Sequence, residues 1–593
     1  MIAKETRPLR GRPLFNTRFA VALLATTTLG GTLAYADPIT FLLPGNLLLS
    51  RSVYDATPAD VTVGMTLPPN CVPNKANKVT CVTAVADGTY PTVFNNAPID
   101  GSFGITTQIL LDEILPIPTG NVVQTIEVPN NTDPGVTATK DQMVTSFSSK
   151  SEIGLNLSLD RSKVSFMGYL STVGAVDISN SNTPDVVDPT NPVSSQAFRV
   201  IADLDQFGQF HFTKTNAYSG NNGRAAILNN VKGANVHYMS GNAGNGGKPQ
   251  PVGVITGAGA QISTPSNMPL SAQLDPGLPT PVGSFNITEV GDAADKVGKD
   301  TNFRGLTVFN NVVYLTKGSG GNGINTVYFI DTTGNVDPTN PTSNPKACPN
   351  GSGVPAPGAA LPTTGIVFNG STVQTEGVTP FNMCVLNGFP TSLAANTTAP
   401  LPMFPFGMFF ANATTLYVAD EGNGTDTFAN GSFTAAAPAQ NSGGLQKWVL
   451  NTQTKTWSLA YTLQAGLDLG VPYIVPGYPT GINAATGLPW APATDGLRNI
   501  TGRVNPDGTV SIWAITSTVS GGGDQGADPN RLVMVTDRLT ATTLPTHESF
   551  TTVRTAKSGE VLRGISFTPG TGEGLAQELS SLFCDFGICQ PQP

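Results

Sequence analysis

Two adjacent carboxylates, Asp420 and Glu421, are the best candidates in the sequence for moving protons. They end an apolar run and are followed by Gly-Asn-Gly. Two carboxylates beside a cation can have separated pKa values, as general acid–base catalysis requires. Asp426 and Asp524 could join them in catalysis or in holding a metal ion. The alternative is that Asp420 and Glu421 only form ion pairs with arginines.

Basic residues stand at the start of several short apolar runs that are far apart in the sequence. These residues are Lys150, Arg224, Arg304, Arg498 and Arg563, and Phe406 takes the same position in a further run. We call these six the lead residues. Cations gathered at one concave opening favour an anionic ligand. The alternative is that each arginine ties neighbouring elements together through carbonyl groups or a carboxylate.

Glycine-rich loops follow several of these runs, at 239–247, 316–323, 420–424 and 520–524. Glycines permit positive φ and close approach of the backbone to a ligand, although a merely flexible rim would have the same composition. Asn222 lies just before Arg224, and Lys317 lies within the 316–323 loop; both are added to the predicted ligand contacts. We find no phosphate-binding GxxxxGK[ST], no GxSxG and no HExxH, which argues against a conventional serine hydrolase or zinc protease.

The elements that would position these residues are short strands with a recurring phrase. Arg304-Gly305-Leu306-Thr307-Val308 is echoed by Arg563-Gly564-Ile565-Ser566-Phe567, and most copies lead into a turn and a second strand. This pattern is typical of the innermost strand of a β-propeller blade. We therefore predict an all-β fold, a single β-propeller over residues 37–593 with six blades, or alternatively seven. In such a fold the lead residues and the glycine-rich loops share one face around the central axis.

The first strands near the N-terminus lack an inner strand of their own. We predict that the C-terminal run Val561–Phe567 pairs with them and closes the ring, because closure removes an open sheet edge. The repeats are longer than the roughly 40–50 residues of compact propeller repeats, so long loop insertions are expected. We place these at about 55–95, 178–195, 335–400 and 464–495, with a short tail at 570–593.

The N-terminal residues 1–36 have the pattern of a secretory signal peptide. Basic residues precede an apolar run from Phe19 to Leu33, and Ala34-Tyr35-Ala36 supplies a small-x-small cleavage site. A membrane anchor is the alternative, but the run is short and is interrupted by Thr and Gly. We therefore expect a secreted or periplasmic protein that is not inserted in a membrane and is a monomer.

Composition excludes some partners and favours turn-rich β structure. The chain carries a net charge of −9, only 12% of its residues are charged, and it has 65 Gly and 48 Pro. Nucleic acid and anionic lipid both require a cationic surface, so neither is an expected partner. Calcium binding by Asp188 or Asp337 is an alternative interpretation of a repeated Val-Asp-Pro-Thr-Asn-Pro, whose simpler explanation is a repeated turn. No other cofactor is indicated.

Six cysteines form three couples that are local in sequence: Cys71 with Cys81, Cys348 with Cys384, and Cys584 with Cys589. An even number in an exported protein predicts disulfides, and these are the simplest pairs. Metal binding by these cysteines is the weaker alternative, since no CxxC or Cys–His spacing occurs. Two of the three histidines, His211 and His237, alternate with aromatic residues on strands, so packing is favoured over metal binding.

The run Leu416-Tyr417-Val418-Ala419-Asp420, which is followed by Gly-Asn, resembles the blades of secreted bacterial propellers of the NHL and lactonase-like kind. The resemblance implies blade architecture through most of the mature chain and supplies no catalytic set.

Two hypotheses about function follow from the predicted fold and site residues. The propeller binds a small anionic or polar ligand and acts on it as a hydrolase or lyase, or it is a non-catalytic extracellular platform for a glycan or protein.

Overall fold

The computed structural model describes the chain in these ranges: 40–54, 64–67, 73, 81–83, 105–130, 143–147, 153–176, 178–184, 195–242, 259–268, 278, 282–288, 302–318, 324–331, 354–355, 361, 381–391, 403–424, 427–433, 443–483, 486–521 and 528–572. The proposed signal peptide lies outside them.

The described residues are organised as strands, with one short 3-10 turn, η1, at Ile178–Asn180. The strands of the first part are β1 Leu47–Val53, β2 Thr66–Leu67, β3 Val82–Thr83, β4 Thr106–Ile114, β5 Val122–Glu127, β6 Met143–Ser146, β7 Asn156–Leu157, β8 Lys163–Leu170, β9 Arg199–Asp205, β10 Phe210–Thr215, β11 Gly223–Asn229, β12 Val236–Gly241, β13 Ala260–Ser263 and β14 Val282–Thr288. Those of the second part are β15 Phe303–Phe309, β16 Val312–Lys317, β17 Thr326–Ile330, β18 Phe381–Val385, β19 Pro405–Asn412, β20 Thr415–Asp420, β21 Phe428–Ala429, β22 Ser432–Phe433, β23 Gly444–Asn451, β24 Thr456–Leu463, β25 Ala493–Val504, β26 Thr509–Val519, β27 Arg531–Arg538, β28 Thr551–Thr555 and β29 Glu560–Phe567.

Successive strands pair as antiparallel meanders. The groups are β11-β12-β13-β14, β15-β16-β17-β18, β19-β20-β23-β24 and β25-β26-β27-β28. Local chemistry sets the turns. For example, Asn310 and Asn311 join β15 to β16 with φ of 48° and 61°, which asparagine tolerates better than most residues. Parallel pairing of β14 with β18 joins the first two of these groups into one eight-stranded sheet.

The predicted pairing of the C-terminal strand with the N-terminal strands is confirmed. β29 pairs antiparallel with β1, where Leu47 lies opposite Phe567 and Leu49 opposite Ile565. β1 also pairs with β4, and β4 with β5, so this group contains both ends of the described chain. A further group contains β7, β8, β9 and β10, and β6 links β4 to β8 in one nine-stranded sheet.

One edge strand of each group contacts an edge strand of the next group. β29 contacts β7, β7 contacts β11, β11 contacts β15, β15 contacts β19, β19 contacts β25, and β25 contacts β29. The prediction of an all-β fold is therefore correct, and its four large sheets have a propeller-like arrangement. We call the six strands that contact one another in this way the inner strands.

Neighbouring inner strands approach closely at the glycines that follow Arg304, Phe406 and Arg563. A β-carbon added at Gly305 would overlap the carbonyl oxygen of Phe406, and one at Gly564 would overlap that of Ile153. A β-carbon added at Gly407 would lie 2.7 Å from the carbonyl oxygen of Arg498, which is also too close. Close packing of this kind leaves no space for a side chain. We call this level of the ring the neck.

Polar bonds between neighbouring groups reinforce the neck. The Thr316 hydroxyl accepts a hydrogen bond from the Gly305 amide at 2.7 Å and donates one to the Phe406 carbonyl oxygen at 2.5 Å. The Ser50 hydroxyl does the same between Gly564, at 2.8 Å, and Ile153, at 2.9 Å. One hydroxyl thus satisfies two backbone groups on neighbouring inner strands.

Two predicted features differ from the structure in detail. The inner strand predicted to begin at Ile153 is regular only at Asn156–Leu157, because Gly154 bridges to Ala225 of the neighbouring group instead of its own hairpin. The insertion predicted near 464–495 lacks regular strands before β25, and its Tyr478 and Trp490 pack with Tyr54 in one apolar cluster. The other predicted insertions lie largely outside the described residues.

Candidate functional site

Five of the six lead residues lie on one side of the neck, because each of them immediately precedes a neck residue in its inner strand. This applies to Arg224, Arg304, Phe406, Arg498 and Arg563. Ile153 occupies the corresponding position in the remaining group, three residues after Lys150, which lies outside the described residues. We call this side the lead-residue face.

Two of the predicted arginines converge on one aromatic ring. The guanidinium carbon of Arg304 lies 5.6 Å from the ring centroid of Phe406, and that of Arg498 lies 5.5 Å from the same centroid. Cations are attracted to the electron-rich face of an aromatic ring. Arg498 Nε also lies 3.2 Å from the Glu421 carboxylate. Side chains from β15, β19 and β25 therefore meet with Glu421 in one cluster.

The other predicted arginines are buried ties between elements. Arg224 is 2% exposed and donates to the Phe303 carbonyl oxygen at 2.9 Å and to the side chain of Asn302. Arg563 is 3% exposed, and its Nε donates to the Ser52 hydroxyl at 3.1 Å. Arg304, by contrast, is half-buried and retains contact with solvent. These contacts favour the tethering alternative for Arg224 and Arg563.

Asp420 is fully buried, and hydrogen bonds reach both of its carboxylate oxygens. The donors are the Phe404 amide at 2.8 Å, the Gly422 amide at 3.0 Å and the Gln446 side-chain amide at 3.0 Å. Burial raises the pKa of the Asp420 carboxyl to about 7. The two backbone hydrogen bonds lower this pKa, whereas the charges of Glu421 and Asp495 raise it further.

Glu421 is buried beside Asp420, and its backbone and side chain contact residues of neighbouring strands. The Ser517 hydroxyl donates to the Glu421 carbonyl oxygen, and the Glu421 amide donates to the Phe404 carbonyl oxygen at 3.0 Å. Its carboxylate faces Arg498. Within the predicted pair Asp420 and Glu421, Glu421 therefore lies next to one predicted arginine, Arg498, as both the catalytic and the ion-pair alternatives require.

Lys317 and Asn222 are both buried, although both were predicted as ligand contacts. Lys317 Nζ donates to the Asn325 side chain at 3.0 Å, and the Asn222 carbonyl oxygen accepts from the Asn242 amide at 2.9 Å. Much of the glycine-rich loops, together with Asp426 and Asp524, lies outside the described residues.

A buried polar cluster that sequence reasoning did not identify lies between β8, β9 and β12. The Asp203 carboxylate accepts from the Ser165 hydroxyl at 2.6 Å and contacts His237 Nε2 at 2.9 Å. His211 Nδ1 lies 3.8 Å from the same carboxylate. His237 is fully buried, in agreement with the predicted packing role. No sequence signal marked Asp203, because Ser165 and His237 are 38 and 34 residues away in other strands.

Metal and disulfide predictions fall mostly on undescribed residues. Within the described ranges, no group of three or more His, Cys, Asp or Glu side chains is placed to hold a metal ion. Asp188 and Asp337 lie outside those ranges. So do Cys71, Cys348, Cys584 and Cys589. The predicted disulfides Cys71–Cys81, Cys348–Cys384 and Cys584–Cys589 therefore stay predictions.

In the part of the chain that the structure describes, no helix is long and apolar enough to span a membrane. No protein-family model matches the chain, and a search of curated proteins returned no match.

Proposed function

We propose that the protein is a non-catalytic recognition module that binds an anionic or polar group of a glycan or protein at its lead-residue face. The observation that carries this proposal is that both candidate catalytic carboxylates are buried and already contact other groups of the protein. Asp420 is fully buried and accepts three hydrogen bonds, and Glu421 faces Arg498. A general acid or base must reach the substrate proton, which such burial opposes.

Arg304 is the group that supports anion recognition at this face. It is half-buried, and it lies against the ring of Phe406, which is also close to Arg498. A guanidinium held against an aromatic ring is already oriented, and its fork of donors matches a carboxylate or a sulfate. Arg304 can therefore bind a ligand at this face without any catalysed reaction.

A glycan array that includes sulfated, carboxylated and neutral saccharides tests the proposal with labelled full-length mature protein. We expect binding to an anionic member and at least fivefold weaker binding by Arg304→Gln. Arg538→Gln is the matched control, because Arg538 is exposed at the far end of β27. Equal binding by Arg304→Gln and the parent would reject the proposed role of this face.

A second candidate is a hydrolase or lyase, and the raised pKa of Asp420, about 7, favours it. A carboxyl group that titrates near neutral pH can give and take protons. Screening against esters, lactones, phosphates and glycosides would distinguish the two candidates. Turnover by the parent that Asp420→Asn abolishes and Arg538→Gln retains would establish the enzyme and overturn the recognition module.

We further propose six blades in one propeller domain over residues 37–593. Six inner strands in closed succession, each with antiparallel partners, support this number. The N-terminal pattern supports export to the periplasm or the cell exterior, and the cysteine spacing supports three disulfides. We propose a monomer, with calcium as the one metal that the repeated Asp-Pro motifs suggest.

A further inference from the structure

A cavity of about 520 Å³ lies beyond the neck, on the side away from the lead residues. Its walls are the later residues of the inner strands, such as Thr307–Phe309 of β15, Met408–Ala411 of β19 and Ile500–Val504 of β25. Leu157 of β7, Ile227 of β11 and Ile565 of β29 line the same space. All six inner strands therefore contribute to one axial cavity.

The lining combines apolar side chains with hydroxyl, amide and guanidinium groups in comparable measure, and part of it is not fully buried. Val308, Phe309 and Phe409 are half-buried side chains of this wall. Phe309 stacks on Phe410 with ring centroids 4.6 Å apart, which holds that part of the wall in place. Apolar surface that stays in contact with water in a concave site is a common mark of ligand binding.

The charges of the lining are of one sign. Arg161 and Arg503 contribute to it, and none of the described lining residues is Asp, Glu or His. Arg503 lies over the ring of Trp513 at 5.9 Å, and its Nε is 3.4 Å from the Asn505 side-chain oxygen. Burial lowers the pKa of the Arg503 guanidinium. A bound anion would offset the cost of burying this cation.

We propose that the axial cavity binds one small amphipathic anion, with its alkyl chain or ring against the apolar wall and its carboxylate or sulfonate at Arg503 and Arg161. The volume falls within the roughly 300–1,000 Å³ of small-molecule sites. The site lies across the neck from the lead-residue face and does not depend on the function proposed there. Since the described lining holds no acid–base group, the role is binding.

Calorimetric titration of full-length mature protein with dodecanoate and with dodecyltrimethylammonium, both below their micelle-forming concentrations, tests this inference. The two probes share a chain length and differ in the sign of the charge. We expect dodecanoate to bind at one site, at least tenfold more tightly than the ammonium probe. Absence of dodecanoate binding at 1 mM would overturn the inference, since about 1 mM corresponds to only about −4 kcal/mol. Equal affinity for the two probes would also overturn it.

Variants then assign the binding to this cavity. Thr501→Trp places an indole in the space lined by half-buried Thr501 and should abolish dodecanoate binding. Arg503→Gln should weaken dodecanoate at least fivefold and leave the uncharged probe 1-decanol unchanged. Lys557→Gln, an exposed residue outside the lining, is the charge-matched control.

Thermal unfolding checks that each variant is folded, and Arg161→Gln replaces Arg503→Gln if the latter is destabilised. Unchanged dodecanoate affinity in folded Thr501→Trp would overturn the assignment to this cavity. An equal loss of dodecanoate and 1-decanol binding in the arginine variant would overturn the role of the cation.

Discussion

Gly305 on β15 lies against the carbonyl oxygen of Phe406 on β19 so closely that no β-carbon fits between them. The same relationship holds between Gly564 on β29 and the carbonyl oxygen of Ile153 in the neighbouring group. Glycine is therefore required at the neck because any side chain would overlap the neighbouring backbone. Its conformational freedom is not needed there.

Gly305→Ala should destabilise the protein because the new methyl group overlaps a backbone oxygen that cannot move alone. We expect a loss of about 3 kcal/mol, at the upper end of overpacking costs. Gly572→Ala is the control, since a β-carbon at Gly572 meets no atom within 4 Å. Denaturant unfolding followed by circular dichroism measures the difference, and an unfolding midpoint for Gly305→Ala equal to that of Gly572→Ala would contradict the tight neck.

Asp203→Asn should remove stability that depends on pH. Burial alone would raise the pKa of the Asp203 carboxyl, but the charge of His237 and hydrogen bonds from His211, His237 and Ser165 hold it well below 3.8. Because the folded-state pKa is depressed, the stabilisation is present above pH 3.8 and is lost as the pH falls below it. We expect Asp203→Asn to cost about 3 kcal/mol at about pH 7.

The difference in unfolding free energy between the parent and Asp203→Asn should shrink as the pH is lowered from about 5 to about 2. Urea unfolding at several pH values measures it. Asp468→Asn is the matched control, because Asp468 is exposed and its φ of 51° suits asparagine. A difference that stays constant with pH would mean that the Asp203 charge does not stabilise the fold.

Asp420→Asn should have the opposite dependence on pH. The pKa of Asp420 is raised to about 7, so the folded state binds the proton more strongly than the unfolded state does. Linkage then requires that this carboxyl lowers the stability of the parent as pH rises from about 4 to about 7, by about 2–4 kcal/mol. The asparagine side chain cannot ionise, so the free energy of unfolding of the variant should rise relative to that of the parent over that interval. Thermal unfolding at about pH 5 and about pH 8 measures the change, and parallel profiles would contradict it.

Lys447→Met should leave a buried carboxylate without its cation. Lys447 Nζ lies 2.9 Å from Asp537, and it donates to the Tyr461 hydroxyl at 3.1 Å and to the Arg538 carbonyl oxygen at 2.7 Å. These contacts join the β19–β24 group to the β25–β28 group. We expect a loss of about 3–5 kcal/mol.

Adding Asp537→Asn to Lys447→Met should recover part of that stability, because the uncompensated charge is removed. Lys557→Met is the control for loss of an exposed lysine. Denaturant midpoints compare the parent with these three variants. If Lys447→Met unfolds at the midpoint of the parent, the buried pair contributes nothing to stability.

Peptide mapping without reductant tests the cysteine pairing. Lys75 and Lys78 lie between Cys71 and Cys81, so trypsin should yield two peptides joined by the predicted disulfide. The other couples have no lysine or arginine between their cysteines and require a second protease. Alkylation of all six cysteines in the unreduced, unfolded protein would exclude the predicted disulfides.

The inner strands were predictable from the sequence where local signals agree. Arg304-Gly305 and Arg563-Gly564 each lie in an observed inner strand, and Asn310-Asn311 form the observed turn. Lys150, predicted as a lead residue by sequence similarity, lies outside the described residues, and Ile153 is the described residue next to the neck in that group. A hydrophobic residue in that position carries no local signal that separates it from an ordinary strand residue.

The sequence by itself determined the elements whose causes are local: alternating apolar residues for strands, Asn and Gly for turns, and a terminal strand that needed a partner. Only the tertiary structure decided which side chains meet. It brings Arg304 and Arg498 to Phe406, His237 to Asp203, and residues of six inner strands to one cavity. These contacts join residues far apart in the chain, and their energies depend on burial and distance, which no short stretch of sequence specifies.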